Sequence, residues 1–296
     1  MFRAVAEEGS FTRAAERLHV SQSAISRQVK LLEDELGGML LHRGARRVAL
    51  THPGELLLKM ASRVSRDIQE VVSQISETHA LTRGTLTLAG GMTVCMYILP
   101  RLLKKYRSLH KKVDLRVVSS SAESLLRMLR SHEVDLALMT LPIVAKDLEV
   151  VPVLREEMVV VTAPGHPLQR RRAVEPKDLG RFPMILYEAG SNTRKVQDQL
   201  LLEEQVAVEV AMETENVEII KSMVANGLGI TLIPYAAIAK DVRHGRFAYA
   251  RIRGRRLYRE TGWIYLRSDH VPRTITEMLR VFDQMKDQFQ SKPPGV

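Results

Sequence analysis

The feature that most constrains the fold is the alternation of strand-like and helix-like segments that begins at Gly84. Apolar runs at 85–89, 113–119 and 135–139 predict strands. Amphipathic stretches at 93–107 and 122–130 predict the helices between them. Strands that are joined through helices pair in parallel with right-handed crossovers, so this region predicts a βαβαβ unit.

A second unit of the same kind follows two further strands, which are predicted at 148–153 and 158–162. Its predicted elements are a strand at 184–186, a helix from Thr193, a strand at 206–212, a helix at 217–225 and a strand at 229–233. A strand at 262–266 and an amphipathic helix at 274–289 complete the pattern. Two successive α/β lobes predict a cleft between them that can hold a small molecule.

Residues 10–36 predict two short helices joined by a tight turn near His19. Apolar residues recur there at three- and four-residue spacing: Phe11, Ala14, Ala15 and Leu18, then Ile25, Val29, Leu32 and Leu36. Five polar residues of the second helix fall within an arc of roughly 140° away from this stripe: Gln22, Ser23, Ser26, Arg27 and Lys30. Such groups bond to base edges and phosphates in a major groove. The alternative is the solvated face of an ordinary helical hairpin.

The segments on either side of this unit strengthen the DNA-binding interpretation. Phe2, Val5 and Ala6 indicate a preceding helix, which makes three helices around one core. Short strands are predicted at 39–41 and 48–50, joined by a turn that carries three arginines, Arg43, Arg46 and Arg47. A basic hairpin tip of this kind fits a wing that lies along a phosphate backbone, with a solvated turn as the alternative.

A long helix is predicted next, with Thr51 as its cap and Pro53 in its first turn. Its apolar positions recur in steps of three and four: Leu57, Met60, Val64, Ile68, Val71 and Ile75. One narrow stripe on a helix of about 25 residues fits pairing with a second copy of the chain. Packing onto the body of the same chain is the alternative.

Composition and charge limit the class of protein. The 296 residues are 45% hydrophobic and 26% charged, which is typical of a folded protein of two or three domains. The formal net charge is +10, but residues 1–83 hold twelve Lys or Arg and ten Asp or Glu. The excess lies at 101–116 and 240–259, and a solvated surface is the ordinary reading of the second stretch. Bulk charge is therefore not the argument for DNA binding.

The compartment is expected to be the cytoplasm. The single cysteine, Cys95, excludes an internal disulfide and fits a reducing environment. Glu7 and Glu8 stand where a signal peptide needs an apolar core. The uncharged run at residues 84–100 is shorter than the roughly 20 apolar residues of a membrane span. No membrane partner is expected.

Residues 1–54 resemble the winged helix-turn-helix of LysR-type transcriptional regulators. The matching residues include the run from Ala6 to Ala15, the run from Leu18 to Gln28, and Leu31-Leu32-Glu33, Glu35-Leu36-Gly37, Leu40-Leu41, Arg43, Arg46-Arg47-Val48, Leu50-Thr51 and Gly54. The body also resembles the family at Leu99-Pro100, Leu136-Ala137, His166-Pro167-Leu168 and the run from Gly227 to Pro234. Ser23 departs from the pattern, which often has proline there, and family members begin several residues earlier.

The resemblance implies an α/β protein with an N-terminal winged helix-turn-helix (1–52), a linker and dimerisation helix (53–82) and a two-lobed effector domain like a periplasmic binding protein (83–296). Lobe I would span about 84–161 and 263–290 and lobe II about 162–262, with crossings near Thr162 and Trp263. It further implies homodimers, commonly homotetramers, an inverted-repeat operator in double-stranded DNA, and contact with RNA polymerase. By position, the DNA-contacting residues would be Ser10, Thr12, Arg13, Gln22, Ser23, Ser26, Arg27, Lys30, Arg43, Arg46 and Arg47.

An effector site is expected where the family holds its ligand, between the lobes. Hydroxyl groups and free N–H groups at helix N-termini favour a small anion such as a carboxylate. The candidate residues are Thr93, Ser119, Thr140, Asn192 and Thr193. Each is equally explained as a helix cap or a turn former.

The sequence contains no motif that indicates an enzyme. The nine histidines are scattered without metal-ligand spacing, and neither a Walker loop nor a glycine-rich dinucleotide motif is present. No catalytic residue, cofactor or metal is therefore expected. Cys95 is close to the predicted effector site, but buried packing is a simpler role for it than redox sensing, which needs a resolving partner.

Overall fold

The chain is an α/β protein with a helical head, described in a computed structural model for residues 1–43, 48–75 and 84–294. It divides into two compact units, Met1–His79 and Ala80–Val296. Among the described residues, no helix is both long and apolar enough to cross a bilayer.

The head is built from three helices, a two-stranded wing and a long helix. These are α1 (Phe2–Glu8), α2 (Phe11–Leu18), α3 (Gln22–Leu36), β1 (Leu41–Arg43), β2 (Val48–Leu50) and α4 (His52–Ile75). Local signals set the boundaries: Ser10 and Ser21 cap α2 and α3, and Gly37 ends α3 in the left-handed conformation. The predicted three-helix unit and wing are confirmed.

The head core is formed by both apolar stripes together with the wing. Its fully buried members are Phe2, Ala4, Val5, Ala14, Ala15, Ile25, Val29, Leu40 and Leu41. The outer ends of the predicted stripes do not reach it, since Leu18 is 38% and Leu36 54% exposed. Both residues lie in the last turn of their helix, where the chain leaves the core.

The long helix begins as predicted. The Thr51 hydroxyl accepts a hydrogen bond from the Gly54 N–H (3.1 Å) and donates one to the Met39 carbonyl (2.6 Å). Leu57 and Leu58 pack against the head core. Beyond them the stripe is uncovered, with Met60 65%, Val64 45% and Ile68 59% exposed. The side chains of Val71 and Ile75 lie outside the described residues.

The body combines one large mixed sheet, a small sheet and the surrounding helices. Its strands are β3 (Gly84–Gly90), β4 (Val113–Ser119), β5 (Leu136–Thr140), β6 (Leu148–Thr162), β7 (Ala173–Val174), β8 (Met184–Leu186), β9 (Val210–Glu213), β10 (Thr231–Pro234), β11 (Ala248–Ile252) and β12 (Leu257–Leu266). Its α-helices are α5 (Met92–Tyr97), α6 (Leu99–Leu109), α7 (Ala122–Arg130), α8 (Asn192–Glu203), α9 (Val217–Ala225), α10 (Ala239–Arg243) and α11 (Arg273–Met285). Single 3-10 turns lie at Pro167–Arg170, Pro176–Arg181, Tyr235–Ala237 and Lys286–Gln288.

The large sheet has the order β4-β3-β5-β12-β6-β11-β7, and β10 also pairs with β6. The predicted βαβαβ unit is confirmed, because β3 pairs in parallel with both β4 and β5. In the second unit β8 pairs in parallel with β9. The long strands β6 and β12 pair antiparallel from Leu148 opposite Leu266 to Met158 opposite Leu257.

These two long strands connect the lobes and correct the predicted crossings. Leu154 of β6 packs in the lobe I core, whereas Met158 packs in a lobe II core. On β12, Leu257 belongs to lobe II and Trp263 to lobe I. The first crossing therefore lies between Leu154 and Met158, several residues before the predicted Thr162, and the second lies between Leu257 and Trp263. The reason is that β6 continues through both lobes as one strand, where two strands at 148–153 and 158–162 had been predicted.

Other elements differ from their predicted extents: β1 lies at Leu41–Arg43 and not at 39–41, β12 begins at Leu257, α11 ends at Met285, and two further differences follow. The helix predicted at 93–107 is broken at Ile98, whose backbone (φ −108°, ψ −57°) separates α5 from α6 just before Pro100. Proline removes the N–H that would continue the hydrogen-bond ladder, which explains the break. The strand predicted at 206–212 is shorter, since only Val210–Glu213 pairs with β8.

Candidate functional site

The recognition surface of the head is the exposed side of α3. Ile25 and Val29 are buried in the core, which fixes the rotation of the helix. Gln22, Ser23, Arg27 and Lys30 are exposed on the other side, and Ser26 is half-buried beside them. Five polar side chains of different hydrogen-bonding character therefore share one solvent-facing surface, as the sequence predicted.

The start of α3 is organised by two serines. The Ser21 hydroxyl caps the helix by accepting a hydrogen bond from the Ala24 N–H at 3.2 Å. The Ser23 hydroxyl lies 3.0 Å from that of Ser21, so its orientation is set by the cap. Ser23, where the family often has proline, thus adds a polar group at the leading end of the surface.

The start of α2 supplies a second polar group of residues. Ser10 caps the helix through the Arg13 N–H, and Thr12 and Arg13 are exposed. The Arg13 guanidinium donates a hydrogen bond to the Glu8 carbonyl, at the end of α1. This contact holds Arg13 beside the first turn of α2. Arg46, Arg47 and the side chain of Arg43, predicted to form the wing tip, lie outside the described residues.

A pocket lies between the two lobes of the body, beside α5, α7 and α8. Thr93, Thr140, Asn192 and Thr193 line it, together with Tyr187, Glu215 and Arg259. It encloses about 80 Å³ and adjoins a hollow of about 590 Å³ that Ser119 lines. Four of the five predicted effector residues therefore come together, while Ser119 is exposed in the adjoining hollow.

Arg259 and Glu156 form a buried ion pair at the floor of the pocket. The Arg259 Nε donates to Glu156 Oε2 at 2.9 Å, and its Nη1 donates to the Thr193 hydroxyl at 3.2 Å. Only 2% of Arg259 is exposed. Burial opposes its charge, but the Glu156 carboxylate keeps the pKa of Arg259 above its usual value. The floor is thus polar, with a guanidinium whose charge is already paired.

Sequence reasoning missed Arg259, because it ends a basic stretch that was read as solvated surface. The strand pattern around it holds a usable signal. Leu257, Arg259 and Thr261 are buried at alternate positions of β12, while Glu260 between them is exposed. A period of two places a residue on the same face as its second neighbours, so Arg259 follows Leu257 inward.

Tyr187 and Glu215 complete the polar lining. The Tyr187 hydroxyl is buried beside Thr93, and burial raises the pKa of Tyr187. Glu215 stands at the mouth, where partial burial and the nearby Glu188 raise the pKa of its carboxyl group. The pocket thus offers a buried phenol hydroxyl inside and a carboxyl group at its entrance.

Asn192 connects the lobes directly at this pocket. Its side-chain amide donates to the carbonyl of Thr140 at 2.7 Å and to that of Pro142 at 3.2 Å. Its carbonyl oxygen accepts from Lys195 at 2.9 Å. A single side chain at the start of α8 therefore fixes lobe II against lobe I.

Cys95 is packed rather than presented to the pocket. It lies half-buried against the lobe I core, with Sγ 3.5 Å from the Gly90 carbonyl oxygen and 3.8 Å from that of Val118. Burial raises the pKa of the Cys95 thiol, which disfavours the reactive thiolate.

Comparison with protein families finds two matches that together span most of the chain. The model described as "Bacterial regulatory helix-turn-helix protein, lysR family" matches residues 1–55. The model described as "LysR substrate binding domain" matches residues 79–286.

Curated proteins and solved structures give concordant matches. A RuBisCO operon transcriptional regulator of Allochromatium vinosum is 32% identical over 254 residues, which is 86% of this chain and 84% of that protein. The regulator CfxR of Cupriavidus necator is also 32% identical, over 86% of this chain and 80% of that protein. Among solved structures, a full-length OxyR variant of Pseudomonas aeruginosa aligns over 99% of this chain and 96% of that one, with a TM-score of 0.74 and 26% identity. CbnR in complex with its target DNA aligns over 96% of both chains, with a TM-score of 0.68 and 22% identity, a likeness of fold.

Proposed function

Because this chain belongs to the LysR family of transcriptional regulators, we propose that it reads an operator through α3 and responds to a small molecule held between its lobes. The observation that carries this function is the solvent-facing polar side of α3, opposite the buried Ile25 and Val29. Arginine, amide and hydroxyl groups on one helix face are the donors and acceptors that major-groove edges require.

The contacts divide by chemistry into two groups. Gln22, Ser23, Ser26, Arg27 and Lys30 on α3 are assigned to base edges and adjacent phosphates. The remaining residues are assigned to the phosphate backbone at the start of α2 and in the wing: Ser10, Thr12, Arg13, Arg43, Arg46 and Arg47. The exposed Thr12 hydroxyl and the Arg13 guanidinium, which is held by the Glu8 carbonyl, support the backbone contacts at the start of α2.

Arg27→Ala tests the recognition surface. Loss of a base-directed guanidinium is expected to weaken operator binding by about 1–3 kcal/mol and to relax the preference at one base position. Gel-shift titration on DNA upstream of the chain's own gene measures this. A RuBisCO operon in the same genome is a second probe, since the relatives are named for it.

Two matched variants make this result interpretable. Arg3→Ala removes an equal charge from α1, where Arg3 pairs with Glu7, and should leave binding unchanged. Arg46→Ala should weaken binding to all sequences alike and lower the salt slope by about one. Full affinity of both Arg27→Ala and Arg46→Ala for a mapped operator would refute the assigned contacts.

The effector is proposed to be a small anionic metabolite in the pocket lined by Thr93, Thr140, Asn192 and Thr193, with Ser119 near its entrance. The threonine hydroxyls and the buried Tyr187 hydroxyl are donors that support an anionic or strongly accepting group there. A carboxylate accepting several of these bonds would gain charge-assisted hydrogen bonds in a site shielded from water.

Calorimetric titration of carboxylic acids and of their primary amides into the full chain tests this ligand class. Acids are expected to bind at least tenfold more tightly than the matched amides. Thr93→Val should weaken the tightest acid about tenfold, because a buried hydroxyl donor is lost, whereas the exposed Thr85→Val should not. Binding confined to neutral or apolar compounds would exclude an anionic effector, and operator footprints unchanged by every ligand would indicate a constitutive regulator.

The last part of the proposal is that the chain forms a dimer through α4. The uncovered stripe on α4 supports dimerisation through residues 53–82, and two heads would then read the half-sites of an inverted repeat. We further propose that residues 1–52 are the DNA-binding domain and residues 83–296 the effector domain, and that the chain forms homotetramers and contacts RNA polymerase.

A cytoplasmic location follows from this function. Lobe movement on effector binding would alter how paired chains hold DNA.

A further inference from the structure

The body carries a strongly basic surface that the recognition helix and the pocket do not use. It consists of six cations on α6 and the turn that follows it, here called the basic face: Arg101, Lys104, Lys105, Arg107, Lys111 and Lys112. All six side chains are exposed. Those on α6 fall within an arc of roughly 160°, opposite the buried Leu102 and Tyr106.

The basic face is not neutralised by carboxylates of the described residues. Across the described ranges, none of the six side chains forms an ion pair, which requires a nitrogen within 4.0 Å of a carboxylate oxygen. The one acidic residue of this stretch, Asp114, lies on β4 at a position alternate to Val113 and Leu115, which face α6. Arg116 shares that opposite side. The basic face therefore holds six uncompensated charges.

The second basic stretch, residues 240–259, behaves in the opposite way. Five of its eight cations are paired with carboxylates within the described part of the chain: Arg246, Arg251, Arg253, Arg255 and Arg259. Two of these pairs are buried, and they connect strands. Most cations of residues 240–259 are thus ion-paired within the protein, whereas those of the basic face are exposed and form no such pairs.

We propose that the basic face binds the phosphate backbone of duplex DNA outside the site read by α3. This inference rests on the proposed DNA-binding function. Residues 1–83 have a net charge of only +2, whereas residues 101–112 hold six Lys or Arg and no Asp or Glu. The helix α6 is roughly 16 Å long. Duplex DNA carries about nine phosphate charges over that length, counting both strands, enough to engage six cations.

The test measures how the salt dependence of DNA binding changes. The full chain is titrated onto a random-sequence 80-base-pair duplex at about 50 to 200 mM NaCl, the range over which counterion release alters affinity strongly. The test variant replaces Lys104, Lys105, Lys111 and Lys112 with Gln and keeps Arg101, which is bonded to Gln288. We expect the slope of log affinity against log salt to become shallower by about two to four, since each lost phosphate contact contributes about 0.9.

A matched control has the same charge change elsewhere on the body. It replaces Lys240, Arg243, Arg246 and Arg256, which are also exposed, with Gln. Its slope should remain that of the unmodified chain, while the test variant binds at least tenfold more weakly at 100 mM NaCl. Circular dichroism melting of both variants confirms that each is folded.

Three outcomes would overturn the proposal. An unchanged slope in the test variant would show that the basic face does not meet DNA. Equal losses in both variants would indicate bulk charge, and a changed assembly mass with an unchanged slope would assign the face to contact between copies. A random duplex keeps this test separate from operator recognition, whose failure would appear as equal affinity of the unmodified chain for operator and random DNA.

Discussion

Glu33 shows how a single side chain fixes the wing to the recognition helix. It is only 4% exposed, and its Oε1 accepts hydrogen bonds from the Leu40 N–H (2.9 Å) and the Leu41 N–H (3.1 Å). Both buried donors thus use the same carboxylate oxygen as their acceptor. The position of β1 relative to α3 therefore depends on one charged residue placed inside an apolar cluster.

Glu33→Ala is expected to lower the free energy of unfolding of the head by about 2–4 kcal/mol, because each unsatisfied buried donor costs about 1–3 kcal/mol. Urea unfolding followed by circular dichroism measures the change. The control is Glu35→Ala, an exposed carboxylate of the same helix, which should change stability by no more than about 0.5 kcal/mol. Equal effects of the two variants would show that the contacts to Leu40 and Leu41 contribute no stability.

Glu33 and Arg259 also mark where prediction from the sequence ends at the residue scale. The polar face of α3 was predictable because its information is local, in helix period and serine caps. The burial of Glu33 depends on backbone donors seven and eight residues away, after a turn. The burial of Arg259 depends on its ion pair with Glu156, which lies more than one hundred positions earlier. Charged residues are seldom buried unless paired, and the partner is set by tertiary structure.

At the scale of elements, α4 is the helix whose exposed stripe lacks a described partner within the head. Met60, Val64 and Ile68 are 45–65% exposed, although they continue the stripe that Leu57 begins inside the core. Burial of three large apolar side chains against a second copy would stabilise a dimer by several kcal/mol, at roughly 1.5–3 kcal/mol each. An α4–α4 contact accounts for the continuity of the stripe.

Val64→Glu combined with Ile68→Glu is expected to dissociate this contact, because paired helices would then face each other with four carboxylates. Sedimentation equilibrium should show a solution mass halved or lower, and operator affinity should fall because two half-sites are no longer held together. Lys59→Glu, on the opposite face of α4, is the matched control and should leave the mass unchanged. A dimeric double variant would contradict pairing through α4.

Element boundaries were predicted well where a local signal ends them. Gly37 after α3, Thr51 before α4 and the turn before α7 are such signals, and these helices begin or end at the predicted residues or within a few of them. The long strand β6 was predicted as two strands. Arg155 and Glu156 interrupt its apolar pattern, but the strand continues because β12 pairs with it from Leu148 to Met158, across that interruption. Only the partner strand reveals that continuity.

At the scale of the whole body, the lobes are joined by two strands and by two polar contacts on the flanks. One is Asn192 against the carbonyls of Thr140 and Pro142. The other is Tyr97 on α5, whose hydroxyl donates to Glu218 and accepts from Lys221 at 2.9 Å on α9. Burial raises the pKa of Tyr97 to about 12, so the hydroxyl stays protonated as the donor that Glu218 requires. A movement that separates the lobes must therefore break these contacts.

Tyr97→Phe removes the hydroxyl without touching the pocket lining. Lys221 keeps its ion pairs to Asp241 (2.7 Å) and Glu218 (2.9 Å), so the expected loss is moderate, about 1 kcal/mol. Opening of the lobes would then become about fivefold more frequent, and amide hydrogen exchange in α5 and α9 would become faster by the same factor.

The control is Tyr249→Phe, which removes a lobe II hydroxyl that bonds to no described residue and should leave that exchange unchanged. Because the apparent affinity of an effector that needs the closed lobes scales with the closed fraction, that affinity should fall by at most the same factor. Unchanged exchange and affinity in Tyr97→Phe would show that the flank contact does not control the lobes.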